Sequence, residues 1–241
     1  MKRVCLLTGA GGKLGTAFCK LLAEKYDIAA VYHQQPIAVP TQRQWFVDPL
    51  NPTVTPRENR HPVFAIQADL TDGKDLVKVV QLTLARFNRI DLLLNAAVYS
   101  FWGPMIDSDR LLDSVLPQFQ VNVGVPLKLS GLIARHFWRG REQENTDMNR
   151  HILNMSSIAG LHIYPDLGQS VYSASKAALN YLTYHMADEF HSVGVRVNAV
   201  APNTFPEIVP TETVVSAIAR LDRGKQTGKI LVLDADGESV I

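Results

Sequence analysis

The chain has 241 residues, a length that allows a sizeable buried core and is typical of a single α/β domain. Its net charge of +1, without any basic run, argues against binding to nucleic acid or to an anionic membrane surface. No apolar run approaches the roughly 20 residues of a membrane-spanning helix. We expect no signal peptide, because a strand starts directly after Met1, and Cys5 and Cys19 fit reduced thiols in the cytoplasm.

The first predicted elements are a strand, a glycine-rich turn and a helix. Arg3–Leu7 is predicted to be a buried strand, and an amphipathic helix is predicted over 16–25. The turn between them reads Thr8-Gly9-Ala10-Gly11-Gly12-Lys13-Leu14-Gly15. Glycines let the backbone approach a pyrophosphate and a helix N-terminus supplies partial positive charge, so this turn is a candidate dinucleotide site.

The second predicted strand, Ile28–Tyr32, ends without an acidic side chain. A fold that binds NAD places a carboxylate about 20 residues past the glycines, where it binds the ribose 2′-hydroxyl. This chain has Tyr32-His33-Gln34-Gln35 at that place. We therefore predict NADP(H) rather than NAD(H), with His33 as a candidate contact of the 2′-phosphate.

Residues 35–62 form the least regular segment, because prolines at positions 36, 40, 49, 52, 56 and 62 exclude a long helix. We expect an ordered loop, with 44–47 as a short extra strand. Two interpretations stay open, a surface for a partner near the adenosine end of the cofactor and a tolerated surface insertion.

The sheet is predicted to resume at Val63–Gln67, which leads to Asp69 and Leu70. A helix is predicted over 74–87, and a fourth strand over 91–94 continues into Asn95-Ala96-Ala97-Val98.

An aromatic cluster follows this fourth strand, at 99–104. Ligands of open α/β sheets bind at the carboxyl ends of strands. The cluster is therefore either part of the core or a platform for a flat substrate that stacks on Phe101 or Trp102.

A long helical region is predicted over 111–138, and it contains Asn122. Asparagine within a helix is mildly unfavourable unless its side chain forms a hydrogen bond. We expect Asn122 to make either a structural or a functional polar contact.

The most informative stretch runs from a predicted buried strand, 152–155, through Ser156 and Ser157 to a helix that carries Tyr172 and Lys176. Residues four apart share a helix face, so Tyr172 and Lys176 are expected to point into one cleft. A neighbouring ammonium would stabilise the phenolate. Tyr172 is thus a candidate general acid and base.

The remaining elements complete the sheet. We predict a helix that continues over 177–191, a sixth strand over 195–200, a helix over 212–221 and a last strand over 229–234. The seven histidines show no metal-ligand spacing, so no metal site is predicted.

The order of strand, paired serines, loop and Tyr-x-x-x-Lys helix resembles the short-chain dehydrogenase/reductase superfamily, from Lys2 to about Gly237. The resemblance implies that Tyr172 is the proton donor and acceptor, and that Lys176 binds the cofactor ribose and tunes the tyrosine. Ser157 would hydrogen-bond the substrate carbonyl, and Asn122 would hold a water of the proton relay.

The same resemblance assigns the cofactor site. The glycine-rich turn is similar to the family's Thr-Gly-x-x-x-Gly-x-Gly, with Lys13 in the middle-glycine position. Lys13 is then either a surface lysine or a cation for the 2′-phosphate, and Asp69 would meet the adenine edge. The implied cofactor-binding residues are Thr8, Gly9, Gly12, Lys13, Leu14, Gly15, Tyr32, His33, Asp69, Leu70, Asn95, Ala96, Ala97, Tyr172, Lys176 and Pro202. Ala96, Val98 and Asn203 depart from the family's pattern.

We therefore expect one α/β domain over 1–241, with a Rossmann-type doubly wound parallel sheet of about seven strands. The substrate lid is expected to be short, at 204–210, which leaves the pocket open or closed by a neighbouring subunit. The resemblance implies a homodimer or homotetramer.

The expected reaction is hydride transfer between NADP(H) and a small carbonyl or alcohol. The turn, the end of the second strand and the aromatic cluster look like those of pteridine reductases, so a flat heteroaromatic such as a pterin is among the candidate substrates. The rival interpretation is an NADP(H)-binding sensor or scaffold without turnover.

Overall fold

A sheet of eight strands lies at the centre of the described residues, which are 2–42 and 63–241 of a computed structural model. The strand order is β3-β2-β1-β4-β5-β6-β7-β8. The strands are β1 (Arg3–Leu7), β2 (Tyr26–Tyr32), β3 (Val63–Gln67), β4 (Leu92–Asn95), β5 (His151–Met155), β6 (Arg196–Pro202), β7 (Lys229–Asp234) and β8 (Gly237–Val240). Strands β1 to β7 pair in parallel, which confirms the doubly wound α/β fold. The eighth strand adds an antiparallel edge, beyond the expected seven.

Helices cover both faces of the sheet. They are α1 (Lys13–Leu22), α2 (Gly73–Phe87), α3 (Asp109–Asp113), α4 (Val115–Phe119), α5 (Val125–Ile133), α6 (Glu142–Asp147), α7 (Ser170–His191) and α8 (Thr211–Arg223). The apolar side chains of α1 and α8 pack on one face, and those of α2, α5 and α7 pack on the other. Strands β1 to β7 are mostly apolar because both of their faces are buried, with buried polar residues such as Asn154 and Asn198 among them.

The position of the cleft follows from the strand order. The chain winds from β1 outward through β2 to β3, and then returns to place β4 on the other side of β1. Such a reversal opens a crevice at the carboxyl ends of the two strands, here β1 and β4. The sequence elements that carry the predicted site all end at this edge.

The long helical region predicted over 111–138 is helical in the structure, apart from a turn at Ser114. The segment is divided into α3, α4 and α5, with π-helical turns at Gln120–Gly124 and Ala134–Trp138. Pro126 lies at the start of α5. Proline has no N–H and its ring clashes with the carbonyl four residues earlier, so a wider π-turn before it relieves the clash.

A buried polar network joins the amino-terminal ends of the strands, opposite the cleft. The carboxylate of Asp222 accepts hydrogen bonds from Arg3 Nε at 2.9 Å and from the Tyr26 hydroxyl at 2.7 Å. Its Oδ1 lies 3.3 Å from Nδ1 of His151, and Nε2 of His151 lies 2.9 Å from the Asn198 amide nitrogen. Burial lowers the pKa of His151 to about 4, so the ring is neutral with both nitrogens bonded.

The segment after β2 forms no helix in residues 33–42. The side-chain amide of Gln42 pairs with the N–H and the carbonyl of Ala65, both at 2.7 Å, and so occupies the free edge of β3. The backbone of Gln35 lies against Gly11, where a Cβ would come within 1.9 Å of the Gln35 oxygen. The short strand predicted over 44–47 lies outside the described residues.

Candidate active site

The glycine-rich turn is tied to the strand that neighbours β1 in the sheet. The Thr8 hydroxyl accepts hydrogen bonds from the N–H groups of Ala96 and Ala97, each at 3.0 Å. Gly9 has a φ of +70°, and a Cβ there would lie 2.6 Å from the Ala96 oxygen. Only glycine fits this position, so the turn and the loop after β4 form one continuous surface.

The amino-terminal end of α1 is a candidate anion site. Its N-cap residue, Gly12, has no side chain that could cap the helix, so the first-turn amides are free for a ligand. The glycine-rich turn that precedes the helix borders a cavity of about 700 Å³, the glycine-loop cavity. Its lining includes the predicted residues Gly9, Gly12, Tyr32, His33, Asp69, Leu70, Ala96 and Ala97. Shape and donor groups therefore suit the phosphates and adenosine of a dinucleotide.

Three predicted cofactor residues lie behind this cavity. Leu14 is buried in the core beneath α1, and Gly15 lets the helix pack on the turn, since a Cβ there would lie 2.5 Å from the Gly9 oxygen. The Asn95 amide donates to Asn154 Oδ1 at 2.9 Å and so joins β4 to β5.

Lys13, the first residue of α1, has a side chain that is 70% exposed. Its ammonium lies 3.6 Å from Glu207, on the segment after β6. Tyr32 is the last residue of β2 and His33 follows it, and both line the glycine-loop cavity. The role of Lys13 as a cation for the 2′-phosphate stays a prediction, beside the alternative of a surface lysine.

Acidic groups lie near His33. Hydrogen bonds from Thr71 lower the pKa of Asp69, and the charge of His33 lowers it further. Hydrogen bonds from the Asp69 N–H and from Lys78 lower the pKa of Asp75, again with a contribution from His33. Among the described residues that line the glycine-loop cavity, none is lysine or arginine.

A second cavity, of about 320 Å³, surrounds Tyr172 and is called the tyrosine cavity here. Ser156, Ser157 and Pro202 line it together with Tyr172. Ser157 caps the 3₁₀ helix Ile158–Gly160, where its hydroxyl accepts from the Ala159 N–H at 3.2 Å. Burial raises the pKa of Tyr172, and a hydrogen bond with Ser157 opposes that rise.

Lys176 is buried on the same helix as Tyr172. Its ammonium donates to the carbonyl oxygen of Met155 at 2.7 Å and lies 5.7 Å from the centre of the Tyr172 ring. Burial lowers the pKa of Lys176 to about 8. The pKa of Tyr172 is raised, not lowered, because burial outweighs any stabilisation of the phenolate.

Asn122 lies in the π-turn before α5 and is fully bonded. Its amide nitrogen donates to the Tyr99 carbonyl and to the Ser175 hydroxyl, each at 2.9 Å. Its oxygen accepts from the Tyr99 N–H, also at 2.9 Å. Asn122 thus joins the loop after β4 to the helix that carries Tyr172.

The structure separates the two aromatic candidates. Trp102 lines the tyrosine cavity, with its ring centre 6.2 Å from that of Tyr172. Phe101 instead packs against Arg110, whose guanidinium lies 5.1 Å from the ring centre. Of the two, Trp102 is the residue that a substrate beside Tyr172 would meet.

The short segment 204–210 forms a compact turn and contributes to the cavity wall. The N–H groups of Ile208 and Val209 donate to the Thr204 carbonyl at 2.9 and 3.0 Å. Asn203 before it donates to Asp234 at 2.7 Å. Phe205 and Ile208 line the tyrosine cavity. The sequence patterns did not single out these residues, because apolar residues in a loop carry no periodic signal.

Comparison with known proteins gives a consistent result. A family model described as short chain dehydrogenase matches residues 3–214. The chain is 26% identical to the 3-oxoacyl-acyl-carrier-protein reductase FabG of Thermotoga maritima, over 98% of this chain and 92% of the relative. It is 24% identical to a diacetyl reductase, (S)-acetoin forming, of Staphylococcus epidermidis, over 84% of this chain and 71% of the relative. A 4-hydroxyisoleucine dehydrogenase, solved with NADH and succinate, superposes with a TM-score of 0.71 at 25% identity, over 96% of this chain and 97% of that chain.

Two other features are absent from the described residues, a membrane-spanning helix and a cluster of metal ligands. No helix within 2–42 or 63–241 has the length and apolar character needed to cross a membrane. The same ranges hold no cluster of three or more histidine, cysteine, aspartate or glutamate residues suited to a metal ion.

Proposed function

The chain belongs to the short-chain dehydrogenase family, and on that premise we propose that it transfers a hydride between NADP(H) and a small carbonyl or alcohol. The proposal rests on one observation. Ser157 and Tyr172 line the same cavity, and the Lys176 ammonium lies 5.7 Å from the centre of the tyrosine ring. The protein is an oxidoreductase of this family type. The cofactor preference, the substrate and the catalytic roles below are our proposals.

A nicotinamide cofactor fits the residues that are present. Gly9 and Gly12 line the glycine-loop cavity without side chains, and Gly12 is the N-cap of α1, whose first-turn amides would face the phosphates. When bound, the reduced cofactor would supply the hydride that forms the new C–H bond, so that carbonyl, reduced nicotinamide and one proton become alcohol and oxidised nicotinamide. Asp69 would meet the adenine edge, and Pro202 would border the nicotinamide end.

The preference for NADP(H) rests on the end of β2. Tyr32 and His33 stand where NAD-binding folds place a carboxylate for the ribose 2′-hydroxyl. With Lys13 paired to Glu207, His33 is the remaining described candidate for a 2′-phosphate contact.

Tyr172 would act as the general acid in carbonyl reduction. Its raised pKa keeps the phenol protonated at neutral pH, so a proton is available for the developing alkoxide. Ser157 would hydrogen-bond the substrate oxygen and then stabilise the phenolate. Lys176 would bind the cofactor ribose with its ammonium, and Asn122 would keep α7 aligned with the loop after β4.

A flat heteroaromatic such as a pterin is one candidate substrate, because Trp102 presents a ring beside Tyr172. The names of the relatives suggest a second group. One relative is a diacetyl reductase, whose substrate is a small uncharged diketone.

A non-catalytic NADP(H)-binding sensor or scaffold remains the rival proposal. Two contacts favour it, because the Lys176 ammonium is engaged with the Met155 carbonyl and Asn203 is engaged with Asp234. The assembled group of Asn122, Ser157, Tyr172 and Lys176 favours the enzyme.

We also propose a homodimer or homotetramer in the cytoplasm. Apolar side chains such as Tyr181 on α7 and Leu127 on α5 are exposed, and contact with another subunit would bury them. Cys5 and Cys19 are free thiols, which suits a reducing compartment. Light scattering of the purified protein would give the number of subunits.

The direct test is turnover by the purified protein. NADPH and NADH are each incubated with a panel of carbonyls, quinones and pterins, and the loss of reduced cofactor is followed by absorbance. Oxidation of NADPH that requires the added substrate supports the enzyme. Cofactor binding without oxidation across the panel would favour the sensor or scaffold.

A further inference from the structure

The tyrosine cavity has an uncharged lining. Its apolar walls come from Trp102, Tyr164, Leu167, Phe205 and Ile208. The other lining side chains are neutral polar or small apolar ones, and none of the described residues that line it is Asp, Glu, Lys, Arg or His. The nearest buried cation, Lys176, lies behind Tyr172 and donates to Met155.

Two loops that line this cavity, one containing Trp102 and the other Tyr164 and Leu167, contact each other at a pair of glycines. The N–H of Gly103 donates to the Gly168 carbonyl at 2.9 Å. Gly168 has a φ of +62°, and a Cβ there would lie 2.8 Å from the Gly103 backbone. Trp102 and Leu167 are the residues directly before these two glycines, and both line the cavity together with Tyr172.

The same loops are apolar on their outer side as well. Ile106 follows Gly103 and is 93% exposed, and Ile163, which precedes Tyr164, is also 93% exposed.

We infer that the substrate is an uncharged carbonyl compound with an apolar, ring-bearing body, and that carboxylates are poor substrates. The inference rests on the proposed function. A carboxylate in this cavity would lose its water without gaining a partner of opposite charge, which is costly. A ring would stack on Trp102, which adds to the gain from burial of its surface.

A matched substrate pair tests the inference. The compound 1-phenylpropane-1,2-dione and the anion phenylglyoxylate share a ring and a ketone, and differ mainly in a methyl ketone against a carboxylate. With NADPH and the whole protein, we expect kcat/KM to be at least about 100-fold higher for the dione, because the unpaired charge must be buried. Equal or higher kcat/KM for phenylglyoxylate, or for acetoacetyl-coenzyme A, would overturn the inference.

A substitution at Trp102 tests the inference that the substrate carries a ring. For Trp102→Ala, we expect the ratio of kcat/KM for phenylpropanedione over 2,3-butanedione to fall about threefold to tenfold, because ring stacking is lost. Trp102→Phe should restore most of the ratio. If this ratio of kcat/KM values is unchanged in Trp102→Ala, Trp102 does not select ring-bearing substrates.

A binding experiment separates failure of this inference from failure of the proposed function. Calorimetry on the protein with NADPH measures binding of 1-phenylethanol and of mandelate, which cannot react because cofactor and ligand are both in the reduced state. Tighter binding of the uncharged alcohol supports the inference even if no carbonyl is reduced. Tighter binding of mandelate contradicts it, whatever the turnover assay shows.

Discussion

The ammonium of Lys176 is bonded to the carbonyl oxygen of Met155, at 2.7 Å, at the carboxyl end of β5. It lies beneath the ring of Tyr172, 5.7 Å from its centre, one helical turn away along α7. The contact ties α7 to the central sheet. Burial raises the pKa of Tyr172 and lowers the pKa of Lys176 to about 8.

Tyr172→Phe should abolish carbonyl reduction while NADPH binding remains. A positioned general acid contributes about 10²- to 10⁴-fold, so we expect kcat to fall by at least about 100-fold. Steady-state kinetics and a fluorescence titration of NADPH measure the two effects. Tyr184→Phe, which changes an exposed tyrosine on the same helix, is the matched control. Normal turnover in Tyr172→Phe would eliminate the proposed role.

Cofactor affinity should weaken above pH 8. The pKa of Lys176 in the cofactor-free protein is about 8, so its ammonium loses its proton as the pH rises through that value. If the protonated form binds the ribose, Kd for NADPH should rise by about tenfold between pH 7 and pH 9. In Lys176→Arg the guanidinium stays charged, so the pH dependence should disappear. The same dependence in both proteins would show that another group titrates.

His33 and Lys13 should differ in their effect on cofactor choice. For His33→Ala, we expect the preference for NADPH over NADH, measured as a ratio of Kd values, to fall about threefold to tenfold as a phosphate contact is lost. For Lys13→Ala, the ratio should stay close to that of the unsubstituted protein, because Lys13 faces Glu207. A lower ratio in Lys13→Ala with an unchanged ratio in His33→Ala would show that Lys13, not His33, contacts the 2′-phosphate. Equal binding of NADPH and NADH by the unsubstituted protein would reject the NADP(H) proposal.

Stability should fall in mild acid because of His151. Burial lowers its pKa from 6.5 to about 4, so the unfolded chain binds more protons than the folded one between these values. The free energy of unfolding should therefore decrease as the pH drops from about 6.5 toward 4, with a loss of about 1–2 kcal/mol at pH 5 from this group.

Urea unfolding at pH 7 and pH 5 measures this effect. His151→Gln should show a smaller difference between the two pH values, whereas His162→Gln, which changes an exposed histidine, should behave like the unsubstituted protein. An equal loss of stability in His151→Gln would assign the acid sensitivity to other groups. Asp222 is one such group, because its pKa is also lowered.

Much of the fold could be read from local sequence patterns. The apolar runs of β1, β4 and β5 are continuous because these strands are buried on both faces. The glycines at 9 and 12 and the Tyr172-Lys176 spacing are local patterns too. The π-turn at Gln120–Gly124 could not be read in this way, because it depends on how Pro126 is accommodated within a packed helix.

By itself, then, the sequence determined the order of the elements, the glycine-rich turn and the presence of a tyrosine and a lysine on one helix face, since each depends on residues close along the chain. Only the tertiary structure decided that Lys13 pairs with Glu207, that Lys176 bonds to Met155 and that Trp102 rather than Phe101 faces Tyr172. These contacts join residues from different elements. Their partners are set by packing of the sheet and its loops, which no local pattern records.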